Sequence, residues 1–546
     1  MSRSRAFSIL RRSLSTSLFA MKRRLAPEDA VAELDALRLS RREALASAAV
    51  AAIPLACSDD EPETPPAKTD PKIAVVGAGA AGLMTAYRLK GYGFKPQVFE
   101  ASTRVGGRMF STHMGLSDGQ VAELGGELVD TNHILIRALA EELGLALDDL
   151  FANEPAGYRR DTFWFGGRVV PESDIVTMFT PLAAKMQAEL QAAETNDAKF
   201  TELDEMGMKA WLDAQTDVDP LMRDILEVAY LDEYGLETDQ QSVFNLLYLI
   251  DFETPDPFRI YGDSDERFHI RGGNEQLPRK LYDALTNETQ LEQRLVRVKS
   301  LANGATELTF DRGGTATSAT FDRVVLALPF TLLREVELEV ELPPDLETAI
   351  DELGYGTNAK LMAQFSTRVW RETHNASGST ITDNGLQELW DTSRGQDGGS
   401  GLLTNFVGGN EGVAIGMKTP EEQVQDRLAR IDEIFPGSGA AYRAGTALRM
   451  HWPTAPFQKG SYACYKPGQW AFAGVEGSQV GGLHFAGEHT SVDFQGYMEG
   501  AIESGARASA EIQRELGDAG LALSPRPGTP RTRLGALKRA RRLRLR

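Results

Sequence analysis

The chain has 546 residues, a formal net charge of −20, 42% hydrophobic residues and 25% charged residues. This is the composition of a globular protein with room for two large lobes or about three to four domains, and two cysteines exclude a disulfide framework. The acidic balance argues against nucleic-acid binding by the folded body, and seven histidines without an HExxH or CxxC pair predict no protein-ligated metal.

Both ends of this acidic chain are basic. Residues 1–57 contain ten Lys/Arg against five Asp/Glu, and residues 525–546 contain nine Lys/Arg and no acidic residue. Arg41-Arg42 precede a 13-residue apolar run, 44–56, that ends at Cys57. The run is too short to span a bilayer but suits an export signal, and the paired arginines resemble a Tat signal. We expect 1–57 to be that signal, with Met21 as an alternative start.

The signal predicts a bacterial protein that is exported, either to the periplasm or to a membrane as a lipoprotein. Cys57 is a candidate for lipid attachment, although Pro54 matches such sites poorly, and ordinary cleavage is the alternative. Residues 58–71 are acidic and rich in proline and predict a solvated linker, whereas the basic tail, 517–546, predicts disorder.

The globular body begins with a pattern typical of dinucleotide binding. Residues 72–76 (KIAVV) predict a buried strand, which is followed by a GxGxxG turn that starts at Gly77 and by a helix from Leu83. A second predicted strand, 97–99, is followed by an acidic residue, Glu100, 23 residues after Gly77. The first glycine permits a tight turn, the second lets a pyrophosphate approach the helix N-terminus, and the acid binds a ribose hydroxyl. The predicted cofactor residues here are Gly77, Gly79, Ala81, Gly82 and Glu100.

The next segment, 100–108 (EASTRVGGR), indicates that the bound dinucleotide is FAD and not NAD. It resembles the stretch that wraps the FAD diphosphate in the flavin-containing amine oxidase family, which includes monoamine, polyamine and L-amino-acid oxidases. Paired glycines admit a cofactor closely, and an arginine offers a planar fork to phosphate. Residues 123–127 (ELGGE) resemble the family loop that passes near the flavin. The resemblance adds Ala101, Arg104, Gly107, Arg108, Gly125 and Gly126 to the predicted FAD site.

Later segments resemble the family in the same order. Residues 272–277, 295–298 and 322–329 resemble a turn before a helix, the strand that meets the adenine, and the strand that returns to the FAD lobe. The most specific match is 483–490 (LHFAGEHT), followed by 496–505 (GYMEGAIESG), where the helix N-terminus is expected to stabilise reduced flavin. These segments add Leu295, Gly487, Glu488, Tyr497 and Met498 to the predicted FAD site.

The same resemblance implies the catalytic residues. Residues 354–361 resemble the strand whose lysine, here Lys360, reaches flavin N5 through water; a lysine exposed on a strand is the alternative interpretation. Tyr462 and Tyr497 correspond to the two walls of an aromatic cage that orients a neutral amine over the flavin. Ser461 stands where some members carry a flavin-linked cysteine, so we expect non-covalent FAD, and Cys464 is expected to be a packed thiol.

The resemblance covers about residues 72–515 and implies an α/β fold. A discontinuous, Rossmann-like FAD-binding lobe is expected from 72–130, 270–335 and 455–516, and a mixed α+β substrate lobe from 131–269 and 336–454. The implied reaction is oxidative deamination of a primary amine or polyamine, in which hydride passes to flavin N5 and O2 is reduced to H2O2.

The sequence leaves the substrate open. An L-amino-acid oxidase, or a related tryptophan monooxygenase, is the first alternative; the arginine that such oxidases often carry is absent from 126–130 (GELVD), although Arg259 or Arg271 could replace it. The acidic stretches 251–256 and 263–266 could attract a cationic substrate or form a solvated face. A desaturase or porphyrinogen oxidase, and a non-catalytic flavin-binding exported protein, are further alternatives. No oligomeric state follows from the sequence.

Overall fold

The computed structural model describes residues 70–152, 154–155 and 157–517. The predicted export signal, residues 58–69 of the predicted linker and the predicted tail beyond residue 517 lie outside the described residues. Within the described ranges, no helix is both long enough and apolar enough to cross a bilayer.

The described strands, in chain order, are β1 (Ile73–Val76), β2 (Pro96–Phe99), β3 (Ser111–Thr112), β4 (Ala122–Glu123), β5 (Leu147–Asp149), β6 (Arg159–Phe165), β7 (Arg168–Val169), β8 (Phe268–Ile270), β9 (Thr289–Gln290), β10 (Arg294–Ser300), β11 (Thr306–Arg312), β12 (Thr315–Phe321), β13 (Arg323–Leu326), β14 (Glu337–Glu339), β15 (Ala359–Phe365), β16 (Ala376–Thr382), β17 (Gln387–Asp391), β18 (Gly401–Val407), β19 (Leu448–His451) and β20 (Leu483–Phe485).

The described helices are α1 (Ala80–Gly91), α2 (Ile134–Glu142), α3 (Glu172–Thr195), α4 (Asp197–Asp204), α5 (Met208–Ala214), α6 (Pro220–Tyr234), α7 (Val243–Leu249), α8 (Gln276–Asp283), α9 (Phe330–Leu333), α10 (Pro344–Glu352), α11 (Val369–Glu372), α12 (Gly409–Ala414), α13 (Pro420–Ile434), α14 (Ser438–Ala441) and α15 (Met498–Gly517). Short 3-10 helices cover Trp452–Thr454, Gln469–Phe472 and Glu488–Thr490.

A five-stranded parallel sheet joins distant parts of the chain. Its order is β20-β13-β1-β2-β9, and every neighbouring pair is parallel. The central strand β1 is buried along its whole length, as expected for a parallel sheet that is covered on both faces. Helix α1 begins at Ala80, three residues earlier than the sequence pattern predicts, because the glycine turn leads directly into it.

Successive residues of β1 pack into two different cores, because side chains alternate across a strand. Ile73 and Val75 pack with α1 and α15 on one face. Ala74 and Val76 pack on the other face with α10 and with a second sheet, of order β12-β11-β10-β14. The parallel sheet is therefore held between a helical layer and a second sheet.

A seven-stranded mixed sheet forms the remaining framework, in the order β19-β15-β18-β17-β16-β6-β7. Strand β15 is buried throughout and lies between β18 and β19, antiparallel to both. Helices α3 to α7 form an apolar core that also includes residues of β6 and β16, and α13 packs in the core around β15. The predicted mixed α/β class, with a parallel sheet, is confirmed.

Candidate active site

A cavity of about 1060 Å³ lies at the carboxyl ends of β1, β2, β13 and β20 and extends to the seven-stranded sheet. Open parallel sheets bind ligands at this edge. Strands β15, β17 and β18 supply Lys360, Trp390 and Phe406 to its far wall. The sequence-predicted catalytic residues, Lys360, Tyr462 and Tyr497, all line the cavity, as do the predicted cofactor residues Gly77, Gly79, Ala81, Glu100, Ala101, Arg104, Gly107, Arg108, Gly125, Gly126, Leu295, Gly487, Glu488, Tyr497 and Met498.

The glycine turn forms an open cradle at the start of α1. Gly77 has a φ of +102°, in the region that favours glycine, and its N–H donates to the Phe99 carbonyl at 2.7 Å. Gly79 is the N-cap of α1, and a Cβ added there would meet no protein atom within 4 Å. A diphosphate can therefore approach the backbone at the positive end of the helix.

Gly82 belongs to the same motif but does not line the cavity. A Cβ at Gly82 would collide with the carbonyl of Gly77 and come within 3.2 Å of the Ala327 Cβ. This glycine permits close packing of α1 against the loops that follow β1 and β13.

The loop after β2 is ordered by its own polar groups. The Glu100 carboxylate accepts hydrogen bonds from the N–H groups of Ala78 and Ser102, each at 2.8 Å. The Arg104 guanidinium donates to the carbonyl of Gly107 at 2.6 Å and lies 4.0 Å from the centroid of the Phe110 ring. Arg104 thus stiffens the loop that carries Gly107.

Arg108 connects this loop to the C-terminal motif. Its Nη1 donates to Glu488 Oε1 at 2.9 Å and to the Ser461 carbonyl at 2.6 Å. The other carboxylate oxygen of Glu488 accepts from the Gly496 N–H at 2.9 Å. Segments some 380 residues apart in sequence therefore share one polar network on the cavity wall.

Lys360 is buried, with 4% of its surface exposed, so the interpretation of an exposed strand lysine is wrong. Its Nζ donates to Glu127 Oε2 at 2.8 Å, to the Gly125 carbonyl at 2.8 Å and to the Glu123 carbonyl at 3.1 Å. Burial acts to raise the pKa of Glu127, but the Lys360 ammonium outweighs it and lowers that pKa. The ion-pair partner that a buried lysine requires is thus a residue of the predicted flavin loop.

Tyr462 and Tyr497 both contact Glu233, a residue that the sequence analysis does not predict in the site. The Tyr462 hydroxyl donates to the backbone carbonyl of Glu233, and the Tyr497 hydroxyl lies 3.4 Å from Glu233 Oε1. The His133 ring packs edge-on against Tyr497, with 5.2 Å between ring centroids. Glu233 lies near the C-terminus of α6, so its backbone and side chain together fix both tyrosine hydroxyls.

Glu266 also lines the cavity, and the carboxyls of Asp130, Asp232 and Glu388 interact electrostatically with those of Glu233 and Glu266. We call these five side chains the acidic cluster. Burial, aided by Glu388 and Asp130, raises the pKa of Glu233 to about 8. Burial and the same neighbours raise the pKa of Glu266 well above its usual value. Of the two acidic stretches in the sequence, 263–266 therefore reaches the cavity, through Glu266.

Neither arginine considered for a substrate carboxylate lines the cavity. Arg259 pairs with Asp251, and Arg271 pairs with Asp148 at 2.7 Å, so both are committed elsewhere. Arg449 does line the cavity, but its Nη1 donates to the Ile415 and Lys418 carbonyls. The prediction that Arg259 or Arg271 substitutes for the missing arginine is wrong in this structure.

Two remaining sequence expectations concern polar groups near the cavity. Ser461 lines the cavity and donates its hydroxyl to Asn358 Oδ1 at 2.6 Å. Cys464 is fully buried beside Asn245, and burial raises the pKa of its thiol, as befits a packed thiol. His489 also lines the cavity, and burial lowers its pKa to about 3, so the ring is neutral near pH 7.

Residues 80–513 match the model of the flavin-containing amine oxidoreductase family. The similar proteins include an L-amino-acid oxidase of Demansia vestigiata, 24% identical over 455 residues and covering 81% of this chain and 87% of the relative. A putative L-amino-acid oxidase, YobN, of Bacillus subtilis (strain 168) is 25% identical over 471 residues and covers 81% of this chain and 94% of the relative.

Two solved structures share the fold. Wild-type putrescine oxidase bound to putrescine has a TM-score of 0.69 and 22% identity, with 81% of this chain and 99% of that chain covered. Cyclohexylamine oxidase from Brevibacterium oxydans IH-35A has a TM-score of 0.71 and 22% identity, with 82% of this chain and 100% of that chain covered.

Proposed function

The chain belongs to the flavin-containing amine oxidoreductase family, and from that premise we propose that it oxidatively deaminates a primary amine or polyamine, with O2 as the electron acceptor and H2O2 as a product. One observation carries the proposal. A single cavity joins the glycine cradle at α1 to a buried lysine and to two tyrosines that share a glutamate. A cofactor and a small amine can therefore occupy the same enclosed space.

FAD is the cofactor of this family, and the residues present fit it. Gly79 leaves room for a diphosphate at the start of α1, and Arg108 and Glu488 supply polar groups on the opposite wall. When bound, FAD accepts the hydride equivalent from the amine carbon and returns the electrons to O2. We propose that FAD is held non-covalently, because Ser461 offers no thiol at the position expected for a flavin link.

The protein's own groups bind and orient the substrate. We propose that Tyr462 and Tyr497 flank the neutral amine, since Glu233 fixes both of their hydroxyls. The Lys360 ammonium donates hydrogen bonds to Glu127 and to two backbone carbonyls, which hold it on the cavity wall. We propose that this charge favours the reaction with oxygen.

A second candidate function is L-amino-acid oxidation. It is favoured by the names of the relatives from Demansia vestigiata and Bacillus subtilis, and Arg449 is one cavity arginine outside the predicted FAD site that a carboxylate could approach. Glu233 and Glu266 oppose it, because their carboxyls would face the substrate carboxylate.

The test is H2O2 release by purified, flavin-loaded protein over a panel of primary amines, polyamines and L-amino acids. We expect turnover of amines and little or no turnover of amino acids. Preferred turnover of amino acids would establish the second candidate. Full flavin occupancy with no turnover of any member would support the non-catalytic flavin-binding alternative and refute the proposed function.

We also propose that the protein is exported through the Tat-like signal to the periplasm or a membrane, and that Cys57 is its lipid attachment site. Replacing Arg41 and Arg42 with lysine should retain the protein in the cytoplasm. The mass of the mature chain, compared with that of a Cys57→Ser variant, distinguishes lipidation from cleavage. Export of the lysine variant at the normal level would refute the Tat route.

We further propose that 72–130, 270–335 and 455–516 form a Rossmann-like FAD-binding domain, and that 131–269 and 336–454 form the substrate domain. The proposal is supported by the strand content: the five parallel strands come from the first set of ranges, and the strands of the seven-stranded sheet come from the second.

A further inference from the structure

His133 is a buried histidine that the proposed mechanism does not use. It precedes the first residue of α2 and is 2% exposed. Burial lowers the pKa of His133 to about 3, so the ring is neutral near pH 7. The ring packs edge-on against Phe494 and against Tyr497, with 5.4 Å and 5.2 Å between ring centroids. An uncharged ring therefore supports a tyrosine that lines the cavity.

Asp130 holds the His133 ring in one orientation. The backbone N–H of Asp130 donates to His133 Nδ1 at 3.0 Å, and His133 Nε2 lies 3.2 Å from Asp130 Oδ2. A neutral imidazole carries a single proton, so a ring whose Nδ1 accepts must donate through Nε2. One residue thus engages both ring nitrogens, and the ring cannot turn without losing both bonds.

The first turns of α2 and α15 are bonded to each other, which keeps His133 in place beside Tyr497. Glu499, in the first turn of α15, accepts hydrogen bonds from the N–H groups of Leu135 and Ile136, both at 2.8 Å. These donors belong to the first turn of α2, where N–H groups have no partner within the helix. Glu499 is fully buried, so solvent does not compete with these bonds.

The same aspartate connects this support to a second wall of the cavity. Asp130 Oδ1 accepts from the N–H of Glu266 at 2.8 Å, and Glu266 lines the cavity just before β8. A continuous series of contacts therefore runs from the backbone of Glu266 through Asp130 and His133 to the Tyr497 ring. It joins the segments before β8 and before α15, which are far apart in the sequence.

Tyr497 depends on packing more than Tyr462 does. The Tyr462 hydroxyl is hydrogen-bonded to the Glu233 carbonyl, whereas the Tyr497 hydroxyl lies 3.4 Å from Glu233 Oε1. An O–H···O contact of that length is beyond the usual range of about 2.5 to 3.0 Å and holds the ring less firmly. The packing against His133 is therefore expected to set the angle of the Tyr497 ring.

We propose that His133 is a positioning residue that sets the angle of the Tyr497 ring against the substrate amine, and that Asp130 fixes His133 for this role. The inference rests on the proposed amine oxidase function and adds two residues to the groups that orient its substrate. His133 does not line the cavity, so it acts through Tyr497. Because a neighbouring ring limits where a bound amine can lie, a tilt of that ring displaces the reacting carbon from the cofactor.

The first test separates the two halves of the reaction. Flavin reduction by butylamine is followed in the holoenzyme without oxygen, and reoxidation by O2 is followed on its own. For His133→Leu we expect flavin reduction to slow about 10- to 100-fold, because a small displacement of a reacting group costs that much. The rate of reoxidation and the affinity for FAD should stay as in the wild type. A purely structural role would lower FAD affinity or slow both halves, and either result would overturn the inference.

A double-mutant cycle tests whether His133 acts through Tyr497. Once Tyr497 is replaced with leucine, His133→Leu should slow flavin reduction no further. His133→Phe, which keeps an aromatic edge, should lose less and takes its place in the cycle where the leucine variant does not fold. The matched control is His374→Leu, because His374 packs against Phe435 with 5.9 Å between ring centroids and does not line the cavity. Additive losses in the cycle, or an equal loss in the control, would overturn the inference.

Ring mobility is measured without turnover, so that failure of the inference can be told from failure of the proposed function. The holoenzyme is labelled with 3-fluorotyrosine, and the fluorine NMR signals that Tyr497→Phe removes belong to Tyr497. We expect the rate at which this ring makes half-turns to rise about two- to tenfold in His133→Leu, because an aromatic pair is worth that much. The rate should not change in His374→Leu. An unaltered rate in His133→Leu overturns the inference, whether or not amines are oxidised.

Discussion

Replacing Lys360 with methionine tests the buried ion pair at the centre of the cavity wall. The side chains of Lys360 and Glu127 are 6% and 5% exposed and lie 2.8 Å apart. Removing one partner of such a pair costs about 3 to 5 kcal/mol, because the other charge is left buried and alone. Methionine fills most of the same space, so the loss should reflect charge and hydrogen bonding more than a cavity.

The loss should depend on pH in a defined direction. In the wild type the pKa of Glu127 lies below its usual value, so the stabilisation by the pair is complete above the unfolded pKa and is lost as pH falls through the folded pKa. Without Lys360, burial dominates and should raise the pKa of Glu127 above that of the unfolded chain. The variant should therefore be most destabilised near neutral pH and approach the wild type in acid.

The assay is urea unfolding of flavin-saturated protein between about pH 5 and pH 8, on the wild type, Lys360→Met, Glu127→Gln and the double variant. We expect the double variant to lose less free energy of unfolding than the sum of the two single losses, by about 1 to 3 kcal/mol. Lys299→Met, which removes a partly exposed lysine paired with Glu339, is the control and should cost much less than Lys360→Met, because solvent screens this pair. A pH-independent loss, or additive single losses, would refute the reasoning.

Three further predictions follow from the same site. Gly79→Val should leave folding nearly unchanged but weaken FAD binding about tenfold or more, measured by flavin titration, whereas Gly82→Val should destabilise the fold itself, seen as a lower midpoint of urea unfolding. Tyr462→Phe removes the hydroxyl bonded to the Glu233 carbonyl and should lower kcat/KM for amines about tenfold with FAD affinity unchanged; equal loss of FAD affinity would contradict this. Because burial raises the pKa of Glu233 to about 8, the carboxyl is largely protonated below that pH, and kcat/KM for amines should change across about pH 8 in the wild type but not in Glu233→Gln; a change that persists in the variant would contradict the assignment.

Residues whose role is local could be predicted from the sequence. The glycine turn, Glu100 and the paired glycines near Arg108 lie in short motifs whose backbone geometry is set by neighbours in the chain. The structure places them on one cavity because β1, β2, β13 and β20 end at the same edge of a parallel sheet. Gly82 is the one glycine of the turn that does not line the cavity, because it lies on the side of α1 that packs against the rest of the protein.

The acidic cluster could not be predicted, because its members meet only in three dimensions. Glu233 is near the end of α6, Glu266 precedes β8 and Glu388 lies on β17, so each is an ordinary polar residue in its own segment. The sequence gives one weak indication of this cluster: Asp232 and Glu233 are acidic residues near the end of an amphipathic helix, close to the buried Tyr230. Similarly, the burial of Lys360 was predicted, but Glu127 was assigned to the flavin loop without an ion-pair role.

The order of strands in the parallel sheet has a consequence for the assembly of this enzyme. Strand β20, whose residues begin at Leu483, pairs with β13 and sets Gly487 and Glu488 against Arg108. A ribosome must therefore release nearly the whole chain before the nucleotide pocket can close. The pocket therefore stays incomplete during synthesis until β20 and α15 have been made. A chain truncated before these elements is expected to bind no flavin and to remain colourless.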